Sequence, residues 1–151
     1  MLRIVCSPAG AVRTFGMEFT VIEAVAMIAD AMGWKIDSIT DVIGPRIASK
    51  ATKSDFLAVQ KGQVAGITQT GTGYDKDGQS LITLHMEAYL GAPESYDAVI
   101  VKGSPDLNMK IAGGVHGDIA TASITVNSIP KVLQAQPGLR TMRDMVLPSF
   151  F

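Results

Sequence analysis

The chain has 151 residues, 47% apolar and 18% charged, with a formal net charge of −1. Such a chain folds around a core as a single domain by length, and disorder, a basic nucleic-acid surface and a polybasic membrane patch are excluded. A lone cysteine, Cys6, rules out an internal disulfide framework, no apolar run approaches the roughly 18 residues of a spanning helix, and the first residues lack a signal-peptide core. A cytoplasmic protein with no nucleic-acid or membrane partner is the expectation.

Leu2 to Cys6 reads as a short strand and Ser7 to Gly10 as a turn. Met17 to Met32 is the clearest helix: Val21, Ile22, Val25, Ile28, Ala29 and Met32 share one arc, with Thr20, Glu23 and Asp30 opposite. Thr20-Val21-Ile22-Glu23 has the form of a capping box, and Gly33 follows as the residue past the helix end. Trp34 to Ala48 reads as a turn into a strand, with Ile39, Ile43 and Ile47 at compatible spacing and Pro45 demanding an edge or a bulge. Ser49 to Asp55 is polar and reads as a mobile loop.

Val64 to Tyr74 is a Thr- and Gly-rich strand, and Asp75-Lys76-Asp77-Gly78 is a hairpin turn with Gly able to take positive φ. From Gln79 to Leu90 the residues alternate. Ile82, Leu84, Met86, Ala88 and Leu90 face one way; Thr83, His85, Glu87 and Tyr89 face the other. Tyr96 to Lys102 and Leu107 to Ile111 are two further strands. Val115 to Leu133 is a helix whose Val115, Ile119, Ala122, Val126, Ile129 and Leu133 form an apolar stripe expected to face the core. Pro130 is expected to kink or restart it, with Asn127 or Ser128 as a cap. The predicted fold class is α+β: a mixed or antiparallel sheet of four to six strands with helices packed on one face.

No P-loop, GxGxxG, CxxC or HExxH is present, and Cys6, His85 and His116 are too scattered to argue a metal site. One segment stands out. Gly113 and Gly114 precede a helix start, where free N–H groups and the helix dipole favour an anion. His116 falls in the first turn, sharing a polar flank with Ser123 and Asn127; Asp118, Thr121 and Thr125 form the other flank. His116 is therefore the candidate hydrogen-bond donor or proton carrier. A bland account competes: the glycines make a tight turn, Asp118 caps the helix and His116 is a surface residue. His85, mid-strand on the polar face, reads as solvated or cross-strand paired.

The residues Gly113-Gly114-Val115-His116-Gly117-Asp118-Ile119-Ala120-Thr121-Ala122, then Val126-Asn127-Ser128-Ile129-Pro130, then Pro137-Gly138-Leu139-Arg140-Thr141-Met142-Arg143-Asp144-Met145 resemble a known family. It is the C-terminal domain of the 2,4-diaminopentanoate dehydrogenase and native amine dehydrogenase family, related to dihydrodipicolinate reductase. Glu23 to Trp34, Gly62 to Gly66 and Tyr89 to Pro93 support the likeness, which covers roughly residues 9 to 148. It implies a fold like the C-terminal domain of dihydrodipicolinate reductase, a two-domain enzyme whose Rossmann domain holds NAD or NADP, and hydride transfer at an imine or amine carbon. By that likeness Gly113, Gly114, His116, Asp118, Thr121 and Asn127 would rim the interdomain cleft.

The family's Rossmann half, its linking helix and the first strand of its C-terminal domain find no counterpart in the residues read this way. Nor does the His-His-x-His-Lys segment of true dihydrodipicolinate reductases. Residues 1–16 are therefore read as an N-terminal extension with partial disorder, and 17–151 as a substrate-binding and oligomerisation domain, a truncated form that binds neither NAD nor NADP tightly and is inactive alone. A sheet left partly uncovered is expected to form a homo-oligomer, most simply a dimer, and a separately encoded Rossmann domain is a further candidate partner. The alternative is a non-enzymatic remnant or small-molecule-binding module of the same fold.

Overall fold

The computed structural model describes residues 2–7 and 17–149, in two compact units, Met1–Gly114 and Val115–Phe151. The first unit holds helix α1 (Met17–Met32) and strands β1 (Leu2–Ser7), β2 (Ser38–Ile47), β3 (Thr52–Lys53), β4 (Ala58–Val59), β5 (Val64–Tyr74), β6 (Ser80–Tyr89), β7 (Tyr96–Val101) and β8 (Leu107–Ala112). The second holds α2 (Gly117–Gln134) and the tail that follows it.

Helix α1 has the bounds its apolar arc predicts. Gly33 takes φ +68° and ends it. The Gly33 N–H donates to the Asp30 carbonyl at 3.2 Å and the Trp34 N–H to the Ala29 carbonyl at 2.8 Å, the two bonds of a Schellman cap. The predicted capping box is displaced: the helix is already formed at Met17, so Thr20 lies inside the first turn, and its side chain lies outside the described residues. Of the turn expected over Ser7–Gly10, and of the disorder expected within residues 1–16, everything in residues 8–16 likewise lies outside them. Residues 2–7 form β1, and it sits inside the sheet.

The main sheet has the order β2-β5-β6-β1-β7-β8. It is mixed: β1 runs parallel to β6, while its other neighbour β7 and the remaining pairs are antiparallel. Strand β2 is an edge, which accommodates Pro45 without a lost ladder bond, and an irregularity falls between Arg46 and Ile47. The six strands and the α+β class agree with the sequence reading.

Helix α1 packs across β2, β5 and β6. Glycines make that possible: a Cβ on Gly71 would strike the Val21 Cγ1, and one on Gly73 would stand 2.8 Å from Val25 Cγ1. Opposite them in register, Leu84 faces Gly71 and Ile82 faces Gly73, so the predicted apolar set of β6 lies on the helix side. Val25, Ala29 and Ile82 form the buried centre, flanked by Ile28, Trp34, Ile36, Ile39, Leu81 and Leu84. On β5 Gln69 is buried, and its amide donates to Asp41 Oδ2 at 2.8 Å. Burying each large aliphatic side chain contributes about 2 kcal/mol.

The turns follow local chemistry. Asp75 Oδ1 accepts the N–H groups of Asp77 at 2.9 Å and Gln79 at 2.8 Å, and Gly78 takes φ +75°. Between β7 and β8, the Lys102 ammonium and then the Gly103 N–H hold the exposed Asp106 carboxyl below its ordinary range. Ser49 to Asp55 is not the plain loop expected. It enters the small hairpin β3–β4, whose turn is fastened by Ser54: its Oγ accepts the N–H groups of Phe56 at 3.3 Å and Leu57 at 3.2 Å. A hydroxyl standing in for a backbone acceptor is a signal that polarity alone does not separate from a loop.

In the second unit α2 runs unbroken through Pro130. Ser128 Oγ donates to the Ile124 carbonyl at 2.6 Å, as an interior helical serine does, so neither the restart nor the cap at residue 127 or 128 is formed. Pro130 sits in the last turn and a half, where the missing N–H removes one ladder bond near a helix end. The apolar stripe expected to face a core is exposed: no residue of α2 is buried.

Candidate functional site

The glycine-led helix start comes first. Strand β8 ends at Ala112, and the chain turns through Gly113 and Gly114 at φ +82° and +70°, a conformation that L side chains rarely adopt. The Gly113 N–H donates to the Ser95 carbonyl at 2.8 Å and the Gly114 N–H to the Ile111 carbonyl at 3.2 Å. A Cβ on Gly114 would stand 3.2 Å from Ser95 Oγ and 3.6 Å from Asp97 Oδ2, so the two glycines are held beside Ser95 and Asp97 at the start of β7.

His116 is the N-cap of α2, with φ −67° and ψ 113°, and its carbonyl accepts the Ala120 N–H at 2.9 Å. Its imidazole makes no capping hydrogen bond. Asp118 stands in the first turn, at a position the helix dipole favours for an acid. The Thr121 carbonyl accepts the Thr125 hydroxyl at 2.7 Å. His116, Asp118 and Thr121 are exposed and Asn127 is half-buried. The six predicted rim residues therefore divide at the unit boundary: Gly113 and Gly114 close the first unit, and His116, Asp118, Thr121 and Asn127 belong to the second.

Within the second unit, α2 and the tail flank an open pocket of about 660 Å³ lined by Ser128, Lys131, Val132, Arg140, Met142 and Met145 among others. Arg140 Nε donates to the Gln136 carbonyl at 3.1 Å. The Thr141 N–H and hydroxyl both donate to Asp144 Oδ2 at 2.8 Å, and these bonds hold its carboxyl below the ordinary range.

A second group of polar side chains, on the sheet face away from α1, was visible in sequence only as the alternation of His85, Glu87 and Tyr89. His85 is cross-strand paired: its Nδ1 lies 2.8 Å from Thr70 Oγ1 on β5. If the threonine hydroxyl donates to Nδ1, the ring proton sits on Nε2, an assignment inferred from the bond. That nitrogen is 3.5 Å from Glu87 Oε1, and Arg46 Nη1 is 4.0 Å from the same oxygen. The Arg46 guanidinium also lies over the Tyr89 ring, 4.9 Å from its centre. Arg46 joins this group through the β2–β5–β6 register, which places it opposite Gly66 and Gly66 opposite Tyr89. Among the described residues, no cluster of three or more His, Cys, Asp or Glu side chains is placed to hold a metal ion, and no helix is long and apolar enough to cross a membrane.

Residues 15–151 match a family described as the 2,4-diaminopentanoate dehydrogenase C-terminal domain. The chain is 37% identical over 131 residues to a 2,4-diaminopentanoate dehydrogenase of Acetoanaerobium sticklandii, covering 83% of this chain and 37% of that protein. The chain thus spans little more than a third of that relative's length. Its fold is that of an amine dehydrogenase from Mycobacterium smegmatis, at a TM-score of 0.74 and 22% identity, over 99% of this chain and 52% of that one.

Proposed function

This chain belongs to the 2,4-diaminopentanoate dehydrogenase C-terminal domain family, and from that premise we propose that it is the substrate-binding and oligomerisation half of an NAD(P)-dependent oxidoreductase acting on an amine or imine. The observation that carries the reading is the family match over residues 15–151, which includes the segment from Gly113 to Asn127. Because the sequence has no GxGxxG fingerprint, the nucleotide falls to a Rossmann domain outside these residues. Bound there, a nicotinamide would supply hydride-transfer chemistry at a carbon that bears nitrogen.

This chain's own residues shape one wall of the cleft. Gly113 and Gly114, without side chains, admit a ligand to the backbone. The first-turn N–H groups of α2, uncapped by the His116 ring, fit an anionic or carbonyl oxygen. His116 is the candidate for donating or accepting a proton, and Asp118, Thr121 and Asn127 complete the rim. By itself the chain is proposed to be inactive and to sit in the cytoplasm. Calorimetric titration of NAD and NADP into the isolated chain is expected to give no micromolar binding; such binding to either nucleotide would sink the assignment of the nucleotide to another domain.

The proposed assembly is a homodimer formed through the sheet. Its support is uneven cover: α1 lies over β2, β5 and β6, while Leu107, Met109 and Ile111 of β8 are exposed. Light scattering across a wide concentration range should show twice the chain mass at the upper end, and a monomer throughout would count against the dimer.

A further inference from the structure

Phe56, in the turn of the β3–β4 hairpin, stands almost wholly in water at 96% exposure, and Leu57 beside it is 58% exposed. The hairpin that carries them is fastened at both ends. Ser54 holds the turn, while at the base the Ala48 N–H donates to the Gln63 carbonyl at 2.8 Å and the Gly62 N–H to the Ala48 carbonyl at 2.9 Å. Val59 of β4 is buried, and Thr52 of β3 lies against Gly91, where a Cβ would stand 2.7 Å from its Cγ2. A large apolar group presented on a fixed turn gains from leaving water and loses little freedom on docking.

Charge indicates the partner. From Ser49 to Lys61 the exposed Lys50, Lys53 and Lys61 stand against Asp55 alone, a net charge of +2. Among the described residues, none of these lysines is paired with a carboxylate. From Glu23 to Asp37 the balance is reversed: the exposed Glu23, Asp30 and Asp37 stand against Lys35 alone, a net charge of −2. This stretch includes the end of α1, whose last turn has no basic residue, so the helix dipole adds to the negative potential. It also borders an open pocket of about 570 Å³ whose lining includes Ala29, Trp34, Ile36 and Ile39, with the carboxylates of Asp30 and Asp37. An apolar floor beside acids is the complement of an apolar tip beside lysines.

We infer that the β3–β4 hairpin of one copy docks into the pocket at the end of α1 on a second copy. Phe56 packs on the apolar floor beside Trp34, and the lysines approach Asp30 and Asp37. Phe56 is exposed in its own chain, so the contact is an exchange between copies. Its surfaces are separate from the exposed side chains of β8, and it stands without the dehydrogenase reading.

The chain has one tryptophan, so fluorescence reports on this pocket alone. The full chain is followed by Trp34 emission and by sedimentation over a wide concentration range. Emission is expected to shift to the blue as the mass rises, because docking takes the indole out of water. Phe56→Ser should weaken the association at least about tenfold and remove the shift. The side chain it replaces is exposed, so circular dichroism should show an unchanged fold. Lys50→Glu with Lys53→Glu in one chain, and Asp37→Lys in another, should each weaken association about tenfold. Mixing those two chains should restore it, since every hairpin then meets a pocket of opposite charge. A rise in mass with still Trp34 emission would overturn the exchange and leave a dimer through the sheet standing. An emission unchanged by Phe56→Ser, or a mixture no tighter than its components, would overturn it as well.

Discussion

Ile82→Ala is expected to destabilise the chain by about 4 kcal/mol, a large share of the 5–15 kcal/mol that holds a domain of this size together. Ile82 is fully buried and lies under α1, in contact with the cluster of Val25 and Ala29. Truncation removes the transfer energy of three carbons and leaves a cavity. That cavity cannot close, because the facing position on β5 is Gly73, which has no side chain to lend, and α1 is already in contact with the sheet there. Urea unfolding followed by circular dichroism should show the midpoint falling sharply with little change in slope. Ile82→Val, which removes one methylene, should cost about 1 kcal/mol. Equal losses for the two variants would mean that the cluster is not the centre of the core.

Gly66→Ala is the second large effect, at about 3 kcal/mol, and it acts through the backbone. A Cβ on Gly66 would overlap the Ala88 carbonyl oxygen and lie against the Tyr89 Cα and Cβ. Those atoms belong to the β6 ladder and have no rotamer to escape into, so β5 and β6 must part locally. Gly44 is the control on the same face. It meets only the Thr68 hydroxyl at 3.6 Å, and Gly44→Ala should be close to neutral. Because Tyr89 carries the Arg46 guanidinium, Gly66→Ala should also disturb that contact, whereas Gly44→Ala should leave it in place. A thermal scan that finds the two alanine variants alike would remove the steric basis of the difference.

Much of this protein was legible residue by residue. The bounds of α1 came from a 3.6-residue apolar period and a glycine that tolerates positive φ. The β5–β6 hairpin came from alternation and an Asp-led turn, and the family from the segment around His116. Each of these signals is carried by residues within a few positions of one another, where φ/ψ preference, capping and side-chain periodicity act directly. Where local signals misled, a neighbour changed their meaning. Ser54 turned a polar stretch into a hairpin, and α2 continues through Pro130, where a kink or a restart was expected.

What the sequence by itself determined, then, is the two helices, the strands of the main sheet and the membership of a dehydrogenase family. Tertiary structure alone decided that Leu2–Ser7, read as an extension, inserts between β6 and β7 of the sheet. It also decided that Arg46 and Glu87, 41 positions apart in the chain, meet over one face, while the predicted rim from Gly113 to Asn127 spans two units. The reason is physical: strand pairing is settled by backbone partners and apolar contacts contributed by residues far apart in the chain, a sum that no local window contains.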